Sequence, residues 1–255
     1  MRRFLNHALS LFHRRAPFST VLSITPLGLE FFLSSLCGVL VTLLIGLRAG
    51  GEAGALLATG LFCIGATAAA YGMRRSYDHA AMGLCNVITL ARLALTAALA
   101  AFLFQPAPAA DEALWFVFAV AVTTLLLDGV DGWAARRAGL ASRFGARFDM
   151  EVDSLFALLL ALLAFRMGQA GAWVILLGLP RYLFMAAGHL WPWLGGDLPD
   201  RFSRKVVCVF QIGVLVAMFV PMLPGALLDA AAIAVALALG WSFHRDVRWL
   251  MSTAR

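Results

Sequence analysis

Charge is scarce in this sequence. Asp, Glu, Lys and Arg together make up 13% of its 255 residues, where soluble domains carry roughly a quarter. Hydrophobic residues fill 62% and the mean hydropathy is +0.87, so an ordinary soluble domain is excluded. Cysteine is scarce too. Cys37, Cys63, Cys85 and Cys208 stand apart in apolar stretches, without CxxC spacing or a neighbouring histidine. That distribution excludes a disulfide framework and a zinc site. His7, His13, His79, His189 and His244 form no HExxH-like pattern, and most acids are isolated, as at Glu30, Asp78 and Asp229.

What the chain has in quantity is long apolar runs. They fall near 27–47, 53–73, 87–105, 113–130, 152–167, 171–193, 206–223 and 225–243, against the ~20 residues a helix needs to cross the hydrocarbon. The expectation is an all-α polytopic membrane protein with eight spans. Ahead of them, "MRRFLNHALSLFHRRAPF" places Phe4, Leu5, Ala8, Leu9 and Phe12 at helical spacing among basic residues. This fits a short amphipathic arm on an anionic membrane surface. Basic residues breaking the apolar stretch argue against a signal peptide.

Sixteen of the twenty basic residues lie in the arm, in the loops after spans two, four and six, and in the C-terminal tail. With eight spans these segments share one side, which the positive-inside rule makes cytoplasmic. The expected location is the inner (cytoplasmic) membrane, with both termini and the aspartates described next on the cytoplasmic side. A net charge of +6 then reflects topology and attraction to anionic membrane lipids, with no need for nucleic acid. Residues 1–80 read as the arm plus two accessory spans, and 81–255 as a six-span working domain.

One polar connection carries chemistry. "LLLDGVDGWAAR" ends a span with Asp128 and Asp131, and "GARFDMEVDSLFALLL" opens the next with Asp149 and Asp153. Spacings of three and four put each pair on one helical face. Antiparallel neighbours would bring both pairs to one level, where four carboxylates repel unless cations intervene. Oxygen ligands select hard ions, here Mg2+ or Mn2+, and two such ions would clamp a diphosphate. Gly129, Gly132, Ala134, Ala135 and Gly145 leave the helix faces nearly bare, so that a ligand can approach the backbone. Ser142 is placed to cap the second helix, and Gly139 to end the first.

The stretch "DGVDGWAARRAGLASRFGARFDMEVD" resembles the signature of the CDP-alcohol phosphotransferase (CDP-alcohol phosphatidyltransferase) family, D-x2-D-G-x2-A-R-x8-G-x3-D-x3-D, and satisfies every fixed position. The resemblance implies a six-helix catalytic core with two extra N-terminal helices. It also implies transfer of a phosphatidyl group from a CDP-linked donor, usually CDP-diacylglycerol, to an alcohol acceptor with release of CMP, in a homodimer. By the same resemblance Asp128, Asp131, Asp149 and Asp153 hold two metal ions, and Asp153 also serves as general base. Gly132, Ala135, Arg136 and Gly145 would form the nucleotide pocket.

Upstream, "NVITLAR" is similar to a pattern on the family's first core helix and puts Asn86, Thr89 and Arg92 on one face. An arginine inside a span is costly enough to read as functional. Arg181, expected well inside span six, joins this set of possible phosphate ligands. "RFSRKVVCVFQ" matches the family's G-K-x-K-T-x2-Q region only at Lys205 and Gln211. Arg204 and Lys205, with Arg201 beside them, are candidates for an acceptor phosphate, and the departures leave the acceptor open. Intramembrane prenyltransferases also bind diphosphates through aspartates, but on two motifs far apart; here all four lie within 26 residues. A cation-binding transporter is expected to place its charges near the midplane and to show repeats, and neither feature is present.

Overall fold

The computed structural model describes residues 26–77, 79–138, 142–196, 199 and 201–253, with the side chains of 131–138 outside the description. The expected amphipathic arm, Asp78 and Gly139 also lie outside the described residues. Those described form helices without a strand: α1 (Pro26–Ser76), α2 (Gly83–Leu99), α3 (Asp111–Ala138), α4 (Arg143–Arg166), α5 (Ile175–Gly178), α6 (Pro180–Leu190), α7 (Phe202–Ala217) and α8 (Gly225–Thr253). A 3-10 turn at Ala100–Phe104 prolongs α2, and others precede α5 and follow α6.

The first two expected spans are the arms of α1, which breaks at Gly50 and Gly51. Gly51 has φ +61°, a conformation that only glycine adopts at little cost. The arms fold back antiparallel. Thr42 bonds Thr59 at 3.3 Å, a Cβ on Gly38 would strike the Phe62 ring, and one on Gly46 would come within 2.5 Å of the Ala55 backbone. Lipid tails are as apolar as leucine, so such close packing of small residues holds membrane helices together where the hydrophobic effect does not. Phe32, Leu36, Leu40, Leu56 and Ile64 face outward from this hairpin.

Among the described residues four helices are long and apolar enough to cross a membrane, or five if a bent pair is counted as one span. The difference from the expected eight has four sources. The two arms of α1, antiparallel across the break at Gly50 and Gly51, are counted among those four as a single helix, Pro26–Ser76. Helix α7 is only 16 residues long, and α4 begins at Arg143, nine residues before the expected span, taking in charged residues. The segment expected at 171–193 is bent by 64° between Gly178 and Pro180, because proline cannot donate its backbone hydrogen bond. Arg181 is therefore in the first turn after a break, not well inside a straight span.

Helix α4 is the hub of the fold. Phe144, Phe148 and Val152 enter a core shared with α1 and α2, while Phe156, Leu160 and Leu163 enter a second shared with α3, α7 and α8. Asp149 follows Phe148 within the first set, and Asp153 lies between the two sets.

Candidate active site

Ser142 caps α4 as expected, its hydroxyl accepting from the Gly145 N–H at 2.9 Å. That bond satisfies one of the donors a helix start leaves open. Two turns in, Asp149 and Asp153 share a face, and α3 delivers Asp128 opposite them. One carboxylate oxygen from each of Asp128, Asp149 and Asp153 lies within 4.8 Å of the others. The fold thus brings together three of the four aspartates singled out in the sequence. Asp131, Gly132, Ala135 and Arg136 follow on the same helix as Asp128, and their side chains lie outside the described residues.

Arg92 enters this cluster from α2. Its side chain is 1% exposed; Nη2 lies 2.8 Å from Asp128 Oδ1 and donates to Asp153, and Nη1 donates to Asp149. A guanidinium can serve several carboxylates because its donors are fixed in a planar fork. The three acids are each more than a third exposed, so the buried cation ties down side chains that open to one side. Three negative charges against one positive leave a site that favours a further hard cation.

Asn86 and Thr89 share the buried face of α2 with Arg92, as their spacing predicts. Asn86 donates to the Met82 carbonyl at 2.7 Å and to the Tyr77 hydroxyl at 3.1 Å, and Thr89 bonds the Cys85 carbonyl. A Cβ on Gly145 would stand 3.4 Å from Asn86 Oδ1, so that signature glycine is also where α2 and α4 meet closely. Burial, followed by nearby Cys85 and Glu30, pushes the Tyr77 phenol above its ordinary range against the opposing pull of the Asn86 bond. It remains a protonated donor at neutral pH.

The remaining candidates are not gathered into the same cluster. Arg181 pairs with Glu151, which lies between Asp149 and Asp153 in sequence. Arg204 is 3.2 Å from Asp246 and donates to the Pro199 carbonyl at 2.7 Å, while Arg201 is 3.6 Å from the same acid. Lys205 is exposed on α7, and Gln211 is buried, donating to the Leu177 carbonyl. Helix α7 packs on both α3 and α4, so its basic start belongs to the same helix group as the aspartates.

Two residues escaped the sequence reading. Asp246 sits in "HRDVR" and passes for part of a basic tail, yet it is a buried acid shared by two arginines. Glu30, which looks isolated in sequence, accepts a hydrogen bond from the Met82 N–H, 52 residues away. Neither has a local signal, because each partner comes from another helix.

An aspartate trio on two neighbouring helices, following the full signature, defines a class. The chain belongs to the CDP-alcohol phosphatidyltransferase family, whose model matches residues 82–242. It is thus a membrane transferase of that kind, acting between a CDP-alcohol donor and an alcohol acceptor, in a family that uses divalent metals. Among curated proteins it is similar to a "Probable phosphatidylglycerophosphate synthase" of Mycobacterium tuberculosis, in strain CDC 1551 / Oshkosh and again in strain ATCC 25618 / H37Rv. Each is 31% identical over 159 residues, which cover 61% of this chain and 74% of the relative. No solved structure gives a significant match.

Proposed function

We propose that this protein transfers the phosphatidyl group of CDP-diacylglycerol to a phosphorylated glycerol, releasing CMP. The observation that carries the proposal is the convergence of Asp128, Asp149 and Asp153, in a chain whose relatives bear the name of a phosphatidylglycerophosphate synthase. The donor set fits the implied metal. It is built from carboxylate oxygens alone, which suits Mg2+ or Mn2+, and a cation, Arg92, already satisfies three of them.

Asp128, Asp149 and Asp153 are the residues that would hold the ions, with Asp131 completing the set of four, and two ions are expected. When bound, they would neutralise the diphosphate and stabilise charge on the attacking and leaving oxygens. Asp153 accepts the proton of the acceptor hydroxyl as its oxygen attacks the phosphorus bearing the diacylglycerol. The bond from that phosphorus to the bridging oxygen breaks, and CMP departs with the bond's electrons. Gly132, Ala135, Arg136 and Gly145 are assigned to the nucleotide pocket, and Arg92, with Asn86 and Thr89 behind it, to the diphosphate end. Arg201, Arg204 and Lys205 are assigned to the acceptor phosphate. Arg181, committed to Glu151, supports α4 from outside.

Residues 1–80 act in this reading as an accessory membrane module and 81–255 as the catalytic domain of a homodimer. Both termini and the site face the cytoplasm across the inner membrane. The deciding experiment is CMP release by purified protein with Mg2+ or Mn2+ and CDP-diacylglycerol, across glycerol 3-phosphate, inositol phosphate, inositol, serine and ethanolamine. Glycerol 3-phosphate should support release, and Asp153→Asn should lower it at least ~100-fold, the smaller end of general-base effects. Release with a different acceptor would keep the reaction and replace the assigned alcohol. No release with any acceptor, from folded protein that binds Mn2+, would overturn the donor.

A further inference from the structure

The helix that carries Arg92 starts badly on its own terms. Met82 stands at its N-cap without a side-chain cap bond, no acid occupies its first turn, and Gly83 enters with φ +73°. Helix starts ordinarily recruit a local acceptor and a negative charge for their open N–H groups and positive dipole end. Here both come from elsewhere. Glu30, in the first arm of α1, accepts from the Met82 N–H at 2.8 Å.

The bond belongs to a larger junction. Tyr77, just past the second arm of α1, directs its hydroxyl at the Ala81 and Met82 carbonyls, at 2.9 and 2.8 Å, and accepts from Asn86. Its ring meets Phe144 edge-on, and a Cβ on Gly72 would touch the same phenylalanine at 3.0 Å. At the far end of the α2 segment, Gln105 donates to the Ala49 carbonyl, and a Cβ on Gly50 would strike the Ala101 carbonyl oxygen at 2.5 Å. Both ends are therefore held by residues 26–77, which lie outside the segment matched by the family model.

We infer that the N-terminal hairpin is a clamp on the catalytic core, with Glu30 as a positioning residue that fixes the axial register of α2 and, through it, Arg92 among Asp128, Asp149 and Asp153. Arg92 lies nine residues beyond Gly83, about 13 Å along a rigid helix. A slip at the start is therefore transmitted to its guanidinium undiminished. Displacements near 1 Å can cost on the order of a hundredfold in rate, so a remote hydrogen bond suffices to govern the site. This inference rests on the proposed function for its kinetic readout, and has a second readout that does not.

The test compares full-length wild type, Glu30→Ala and Glu30→Gln in lipid nanodiscs. Mn2+ affinity is followed by electron paramagnetic resonance, and kcat and KM by CMP release. Glu30→Ala should weaken Mn2+ binding about fivefold and lower kcat about tenfold, with donor KM changed less than twofold. Glu30→Gln keeps an acceptor oxygen and should recover at least half of both losses. Tyr77→Phe, which removes the hydroxyl from the same junction and leaves Glu30 in place, should shift both readouts in the same direction and decides the matter if the alanine variant does not fold. Folded Glu30→Ala with wild-type Mn2+ affinity and kcat would overturn the clamp. A rise in donor KM alone would overturn it too, since that marks a direct substrate contact. If wild type releases no CMP, the proposed reaction fails, while the Mn2+ series still judges the clamp.

Discussion

Two ion clusters in this protein have opposite stoichiometry. At one, the Arg92 guanidinium serves three carboxylates; at the other, the Asp246 carboxylate serves two guanidinium groups. In both the minority charge is buried, at 1% exposure for Arg92 and 5% for Asp246, and the majority charges reach outward. A buried ion without partners would be prohibitive. The partners outnumber it, however, so each cluster keeps an unbalanced charge on its open side. The first is left negative and suits a divalent cation, while the second is left positive and suits a phosphate. The helices that bear the two clusters are in contact, an arrangement that supports a metal-dependent transfer to an anionic acceptor.

The largest loss is expected at the negative cluster. Asp128→Asn removes the carboxylate that faces Arg92 from α3 at 2.8 Å, and with it a charge needed by a hard cation. CMP release should fall ~100-fold or more, in keeping with the electrostatic role of such groups in phosphoryl transfer. Mn2+ affinity should fall with it, while the protein keeps its helical circular dichroism. Full activity in this variant would separate the cluster from the chemistry.

At the positive cluster the expected loss is in stability first. Asp246→Ala leaves Arg201 and Arg204 facing each other without their shared acid. Both arginines are partly exposed, at 22% and 30%, so water offsets part of the cost. The expected destabilisation is about 2 kcal/mol, below the range for fully buried pairs, read as a lower thermal midpoint in detergent. Arg204→Gln acts more gently. It removes one cation from an already positive cluster and should raise KM for glycerol 3-phosphate about tenfold, the scale of one hydrogen bond to a charged group. Donor KM should change little. An equal rise in both would move Arg204 from the acceptor to the donor.

The two clusters also differ in how far the sequence exposed them. Asp128, Asp149 and Asp153 lie on adjoining helices joined by a short loop, so spacing alone brought them to one level, and Ser142 marked the start of α4. Arg92 was legible as a costly charge inside a span, but its choice of the carboxylates depends on how α2 docks against α3 and α4. Asp246 and Glu30 were not legible at all. Their partners lie 42 to 52 residues away, and no periodicity encodes a contact between separate helices. The bend at Pro180 was not legible, because hydropathy ignores a bend; the start of α4 at Arg143 followed from Ser142 and not from the apolar run, because hydropathy counts charges against a helix that here begins with them.

The smallest effect is expected far from either cluster, where the hairpin arms meet. Thr42 is fully buried and its hydroxyl lies 3.0 Å from the Gly38 and Val39 carbonyls and 3.3 Å from Thr59 Oγ1. It therefore divides its bonding between its own helix and the facing arm. Thr42→Val keeps the shape and removes that choice. The carbonyls it leaves retain their helical partners, so only the contact across the arms is lost. Such bonds between membrane helices average about 0.6 kcal/mol, and the variant should unfold only slightly earlier than wild type, with unchanged Mn2+ affinity. A Gly46→Leu change at the same seam must instead push the arms apart, because even its Cβ would sit 2.5 Å from the Ala55 backbone. If Thr42→Val alone weakened Mn2+ binding, the hairpin would be transmitting far more to the core than its two end contacts explain.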